Sequence, residues 1–309
     1  MSPPTDMAAS VKARLLNLRT DKGRPFDHLL SAYVLERLLY RLSESDHKDR
    51  FILKGAVLFS VWFDTPHRPT RDLDLMGYGS NSPDSLVQTF GDICRTPVEP
   101  DGLVFSANTI EAETIRDGTE HVGGRVTCLA FLGSARCPVQ IDVGFGDAIT
   151  PPPEFITLTT LLGHAAPRLR AYPRETVIAE KVEAMVTLGI ANSRSKDLFD
   201  VWTMADRMSF EGQRLADALK ATLGRRGVRL PDGMPLALTD AFADDTQQRV
   251  RWAALVRKLG ASEAPEDFAV VIAGLRRFLE EPLGAVGTGN RFSHRWLPGG
   301  PWVSAPDKD

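Results

Sequence analysis

Apolar side chains at Phe26, Leu29, Leu30, Tyr33, Val34 and Leu38 recur at the three- and four-residue spacing of an amphipathic helix over Phe26–Leu42. From Phe51 to Phe145 the pattern changes to short β-branched or alternating runs broken by Gly, Pro, Asn and Asp. These predict strands at Phe51–Leu53, Asp72–Met76, Gly102–Ser106, Arg125–Leu132 and Val139–Phe145, with helices near Val57–Phe63 and Pro83–Cys94 between them. Three consecutive prolines, Pro151 to Pro153, suit neither regular element, and past Ala171 the periodicity is almost wholly helical. Helices are expected at Glu175–Leu188, Lys196–Met208, Gly212–Leu223, Leu236–Phe242, Asp245–Lys258 and Pro265–Leu279, followed by an irregular tail from Gly284. The expected organisation is an α+β chain: an α/β domain over 1–150 with an N-terminal helix, a linker over 151–174 and a helical region over 175–309.

Composition narrows the class without naming a function. With 309 residues, 43% hydrophobic and 25% charged, the chain can bury a core without disulfide staples. A formal charge of -3 argues against a protein wrapped in nucleic acid, which needs many clustered cations. Cations do cluster locally beyond residue 150, at Arg168, Arg170 and Arg174, at Arg225, Arg226 and Arg229, at Arg276 and Arg277, and at Arg291 and Arg295 beside Phe292 and Trp296. A solvated face accounts for any one of them; together they leave room for a local nucleic-acid contact. Cys94, Cys128 and Cys137 are odd in number and lack metal-ligand spacing, as in a reducing compartment. The opening residues lack a charged segment followed by an apolar one, and no run approaches the ~20 apolar residues of a membrane helix, so a cytoplasmic protein is expected.

The chemistry gathers around Asp72-Leu73-Asp74-Leu75, which follows Lys54-Gly55-Ala56 after fifteen residues. Residues two apart on a strand share a face, so Asp72 and Asp74 project together while the leucines enter the core. Paired carboxylates repel unless a cation lies between them, and Mg²⁺, a hard ion that takes carboxylate, water and phosphate oxygens, suits such a pair. Asp142, in the otherwise apolar run Val139–Val143, offers a third carboxylate for a site of the kind used in metal-assisted phosphoryl transfer. For the pair alone, two solvated aspartates at a strand end are the plainer explanation; the third carboxylate shifts the balance toward a site. In the helix Glu175–Leu188, Lys181 falls within the apolar stripe while Glu180 and Glu183 lie opposite, so Lys181 needs an anionic partner, a phosphate or an aspartate. Ser195 is placed to cap the next helix, where Asp197 flanks the core stripe and Asp200 lies opposite it, making Asp197 the better candidate to reach a cleft.

Taken as a set, Lys54-Gly55, Thr70-x-Asp72-x-Asp74, Asp142, the stretch from Tyr172-Pro173 to Glu180-Lys181, and Arg194-x-Lys196-Asp197-x-x-Asp200 resemble the AbiEii family of nucleotidyltransferase-like toxins, which includes the MenT toxins. The resemblance implies a bilobed protein, with a polymerase β-like nucleotidyltransferase core and a helical lobe. It also implies Mg²⁺, an NTP donor with pyrimidines favoured, the 3′ acceptor end of tRNA as target, a block of translation, and an AbiEi-type antitoxin as partner. Carried over by position, Asp72, Asp74 and Asp142 would be the metal carboxylates, with Asp142 activating the acceptor hydroxyl, and Lys181 and Asp197 would join them as catalytic residues. Lys54, Gly55, Thr70, Arg71, Lys181, Arg194, Lys196 and Asp200 would bind the nucleotide, and Thr70 would be a point of inactivating phosphorylation. Ala56 stands where the family usually has Gly or Ser. A metal-dependent nuclease, a kinase-like phosphotransferase using the same carboxylates, and a non-catalytic module binding a nucleotide or an antitoxin are the alternatives.

Overall fold

Seven strands of the first unit form one mixed sheet in the computed structural model, which describes residues 6–22, 25–63, 70, 72–117, 121–259 and 264–304. The chain divides into two units, one running to Asp147 and including Glu154–Ala171, the other made of Ala148–Pro153 and the residues from Tyr172 onward.

The first unit runs α1 (Met7–Lys22), α2 (Phe26–Glu44), β1 (Phe51–Lys54), a 3₁₀ turn over Gly55–Leu58, α3 (Phe59–Trp62), β2 (Asp72–Gly77), α4 (Pro83–Arg95), β3 (Leu103–Asp117), β4 (His121–Leu132), β5 (Ala135–Phe145), β6 (Glu154–Thr157) and β7 (Arg168–Ala171). The strands lie in the order β3-β4-β5-β2-β1-β7-β6. β2 pairs parallel with β5 and β1 with β7, and the other neighbours are antiparallel. One face carries Leu53, Leu73, Leu75, Val126, Val139, Ile141 and Val143, all almost fully buried. Helix α4 covers this face, where a side chain at Gly124 would strike Leu86. Ser82 caps α4 by accepting the Ser85 N–H at 3.3 Å, and Pro83 occupies the first turn, where its missing N–H costs nothing.

The core also holds charge. Asp101 accepts from both Arg41 nitrogens at 2.6 and 3.1 Å and from Arg37 Nε at 3.1 Å, all three residues being buried. Burial pushes the Asp101 carboxyl up, yet Arg41, the Leu103 N–H and Arg37 together hold the group below its ordinary value. This pairing ties the segment before β3 to helix α2.

Three features of the first unit depart from the sequence-based expectation. Helix α1 precedes the first predicted helix, and β3 continues past Ser106 to Asp117 through an irregularity between Ser106 and Glu111. The stretch 151–174, expected to be a linker, contains β6 and β7, which extend the sheet beyond β1. Two strands of four residues show too little alternation to register against the preceding prolines.

The second unit contains α5 (Arg174–Leu188), α6 (Ser195–Arg207), β8 (Phe210–Glu211), α7 (Gly212–Arg225), α8 (Asp240–Asp244), α9 (Thr246–Leu259), α10 (Phe268–Thr288), β9 (His294–Trp296) and β10 (Trp302–Ser304). The segment after Asp147 joins it through Thr176, whose hydroxyl donates to the Thr150 carbonyl at 2.8 Å and accepts the Thr150 N–H at 3.1 Å. The tail expected to be irregular instead completes α10 and forms a small sheet, β10-β9-β8. Trp296 and Trp302 anchor it, donating their indole N–H groups to the carbonyls of Ala205 and Phe278 at 2.6 and 2.9 Å. Among the described residues, no helix is long and apolar enough to cross a membrane.

Candidate active site

The strand register sets Lys54, Asp74, Asp142, Arg125 and Glu113 in one row across β1, β2, β5, β4 and β3. Cross-strand partners share a face, so this charged row lies opposite the apolar face, with Asp72 two residues before Asp74 on the same side. Asp72 is exposed; Asp74 and Asp142 are half-buried. Asp142 receives a two-pronged hydrogen bond from Arg125, Nε to Oδ1 at 2.8 Å and Nη2 to Oδ2 at 2.9 Å, and this bond holds the guanidinium above its ordinary value. Lys54 Nζ lies 2.8 Å from Asp147 Oδ2.

Glycine is required at one point of this arrangement and leaves close quarters at another. Gly55 has φ +73°, and a Cβ there would sit 2.0 Å from Asp74 Oδ2. A Cβ on Gly144 would meet Asp147 Oδ2 at 3.1 Å and Lys54 Nζ at 3.4 Å. Thr70 donates its hydroxyl to the Asp72 carbonyl at 3.1 Å, at the entrance to β2. Arg71 lies outside the described residues.

Sequence reasoning missed Arg125, Glu113 and Asp147. The only available signal for Asp147 was its place directly after Gly144-Phe145-Gly146. Arg125 and Glu113 sit on antiparallel strands whose register no local pattern reveals.

In the second unit, Lys181 Nζ lies between two carboxylates, 2.5 Å from Asp197 Oδ1 and 2.9 Å from Asp200 Oδ2. Asp200 has 0% side-chain exposure, whereas Asp197 has 19%. The order expected from the helical stripe is therefore reversed: Asp200, placed opposite the core residues, is the more deeply buried. The stripe marks where apolar residues lie, whereas α6 packs against α5, α9 and α10 and is enclosed on more than one side. Glu183, also expected to face outward, is buried, accepting the Thr187 hydroxyl at 2.7 Å with Arg226 3.9 Å away. Ser195 is the first helical residue rather than the cap, a place taken by Arg194 without a side-chain bond. Arg194 and Lys196 are exposed.

Asp72 and Asp74 offer hard oxygens on one side of β2, a donor set that fits Mg²⁺ completed by water and phosphate. Asp142 stands beside Asp74, but each of its oxygens already accepts from Arg125. Among the described residues, no group of three or more His, Cys, Asp or Glu is arranged to hold a metal ion.

A mixed sheet with a row of carboxylates and cations on one face, helices on the other and a mainly helical second unit is the setting in which the comparisons with known proteins fall. The model of the nucleotidyl transferase AbiEii toxin family, of type IV toxin–antitoxin systems, matches residues 37–274, and the chain belongs to that family. Two crystal structures are similar: one from H. pylori, assigned provisionally as a nucleotidyltransferase, with 17% identity, a TM-score of 0.48, and coverage of 83% of this chain and 96% of that one. The other is JHP933 from Helicobacter pylori, with 17% identity, a TM-score of 0.44, and coverage of 82% and 93%. No curated protein matches the chain.

Proposed function

We propose that this nucleotidyltransferase transfers nucleotides, pyrimidines by preference, from an NTP to the 3′ acceptor end of tRNA in the cytoplasm, as MenT-like toxins do, and so blocks translation. The observation that carries the reading is the single row of Lys54, Asp74 and Asp142 with Asp72 beside it. In the reaction, the RNA 3′-hydroxyl oxygen attacks the α-phosphorus, the new O–P bond forms, and the bond to the leaving pyrophosphate breaks in line. Asp72 and Asp74 would hold Mg²⁺, which offsets charge on the phosphates when bound. Asp142 orients the attacking hydroxyl: the Arg125 fork uses one lone pair on each carboxylate oxygen and leaves others to accept its proton. Lys54 and Lys181 are assigned to phosphate charge, held by Asp147 and by Asp197 and Asp200 respectively.

A bilobed polymerase β-like layout and control by an AbiEi-type antitoxin belong to the same reading. The test is transfer of label from α-labelled NTPs to total tRNA with Mg²⁺. Label on tRNA, lost with Asp74→Ala, is the expected result; no transfer from any NTP overturns it.

A further inference from the structure

The cation clusters of the sequence have unequal fates. Arg174 sits over Phe210 and beside Glu175, Arg226 approaches Glu183, and Arg276 pairs with Asp240. Arg168 and Arg170 do otherwise. Arg168 lies over the Phe155 ring at 4.7 Å, and Arg170, directly opposite Phe155 in the β6–β7 pair, lies 5.9 Å from the Tyr78 ring centre. The order across the surface is thus ring, cation, ring, cation. Phe155 is 57% exposed and Tyr78 47%, and β6 is the last strand of the sheet.

The charges here are uncompensated. Arg170 donates to the Asp49 carbonyl. Arg50 donates to the carbonyls of Tyr78 and Ser80 and to the hydroxyls of Thr89 and Ser85. All these acceptors are neutral, and among the described residues Arg50, Arg168 and Arg170 have no carboxylate within ion-pair distance. Two planar cations, Arg168 and Arg170, alternating with the exposed rings of Phe155 and Tyr78 suit a partner that is anionic and aromatic at once. Single-stranded nucleic acid has that alternation, its bases stacking on rings and its phosphates taking guanidinium N–H groups.

We infer that Tyr78, Phe155, Arg168 and Arg170 form a second RNA-binding surface on the β7–β6 end of the sheet, which holds single-stranded RNA by stacking and phosphate contacts. It rests on the proposed function only in taking RNA as the partner. The strand parity puts it on the same face as Lys54 and Asp74: Ala171 pairs with Leu53, so Arg170 shares the side of Lys54.

The test measures anisotropy of a labelled RNA of about twelve nucleotides on the full chain, without NTP or divalent ion. The Phe155→Ala, Arg168→Ala double variant should bind at least about tenfold more weakly, with a salt slope shallower by about one. Phe155→Trp should retain affinity, and Arg249→Ala, at a cation paired with Asp244 in the second unit, should bind as the unaltered protein does. Full affinity in the double variant overturns the inference, as does absence of RNA binding by the unaltered protein, or a double variant that loses association with a protein antitoxin while keeping RNA. Binding that depends on Phe155, with no nucleotide transfer, sinks the transferase reading alone; transfer with unchanged RNA affinity in the double variant sinks this surface alone.

Discussion

Gly55 and Asp74 occupy adjoining space with no room for a side chain between them: a Cβ on the glycine would lie 2.0 Å from the carboxylate oxygen. The backbone passes the Asp74 carboxylate closely because Gly55 adopts φ +73°, a conformation that other L-residues enter at a cost. An apposition that crowds a carboxylate against main chain is a way of fixing it, and it gives Gly55 a role distinct from cradling phosphate.

Gly55→Ala should therefore displace Asp74 and reduce nucleotide transfer by at least about a hundredfold, with a stability loss above about 1 kcal/mol. Gly79→Ala separates strain from collision, because Gly79 has φ +82° and nothing within 4 Å of an added Cβ. It should lose only the strain part of that stability and keep its activity. Urea unfolding and labelled-NTP transfer on both variants check this, and equal activity loss would contradict it.

The ion pair of Lys54 with Asp147 leads to a second expectation. Asp147→Asn removes the charge 2.8 Å from Lys54 Nζ while keeping the shape of the side chain. With Lys54 serving phosphate, the KM for NTP should change several-fold while kcat stays nearly constant. A fall confined to kcat would place Lys54 elsewhere in the reaction.

Lys181 and Asp200 form a buried pair, so losing either partner should be felt in folding. Lys181→Met removes the cation 2.9 Å from a carboxylate of 0% exposure and should destabilise the protein by roughly 3 kcal/mol. Lys181→Arg should lose less. Asp197→Ala, at a side chain with 19% exposure, should cost less than Asp200→Ala. Denaturant midpoints of the four variants give the order directly.

Glu36 makes stability depend on pH. Burial, the chief cause, pushes its carboxyl from the ordinary 4.5 up to about 7, against the Leu161 N–H donated at 2.7 Å and the nearby Arg37, which both pull it down. The folded protein binds this proton more tightly than the unfolded chain, so the contribution is complete below pH 4.5 and is lost as pH rises through about 7. The loss amounts to about 3 kcal/mol. Glu36→Gln should remove that slope, so unfolding free energies of the two proteins should converge or cross between pH 5 and about 7. A constant difference across the range would refute the assignment.

Much of the first unit was legible locally. Alternation marked Asp72–Met76 and Val139–Phe145 as half-polar strands, and the same alternation put Asp72 and Asp74 on one side. The short strands β6 and β7 escaped because four residues carry little periodic signal, and β9 and β10 because their burial comes from Trp296 and Trp302 reaching α6 and α10. The partners of each charge escaped for a related reason: helical periodicity separates apolar from polar faces but is blind to a cation on another element. Asp200 was consequently placed outward although it lies buried against Lys181.

What the sequence by itself determined was which residues carry charge, which positions alternate, and the family to which their order corresponds; those depend on spacing along one chain. The tertiary structure alone decided that Asp74 adjoins Gly55 and Asp142, that Arg125 occupies both oxygens of Asp142, and that Phe155 and Tyr78 stand exposed between arginines. Those relations join residues many positions apart, and strand register and burial, which long-range packing settles, are what bring them within ångströms of one another.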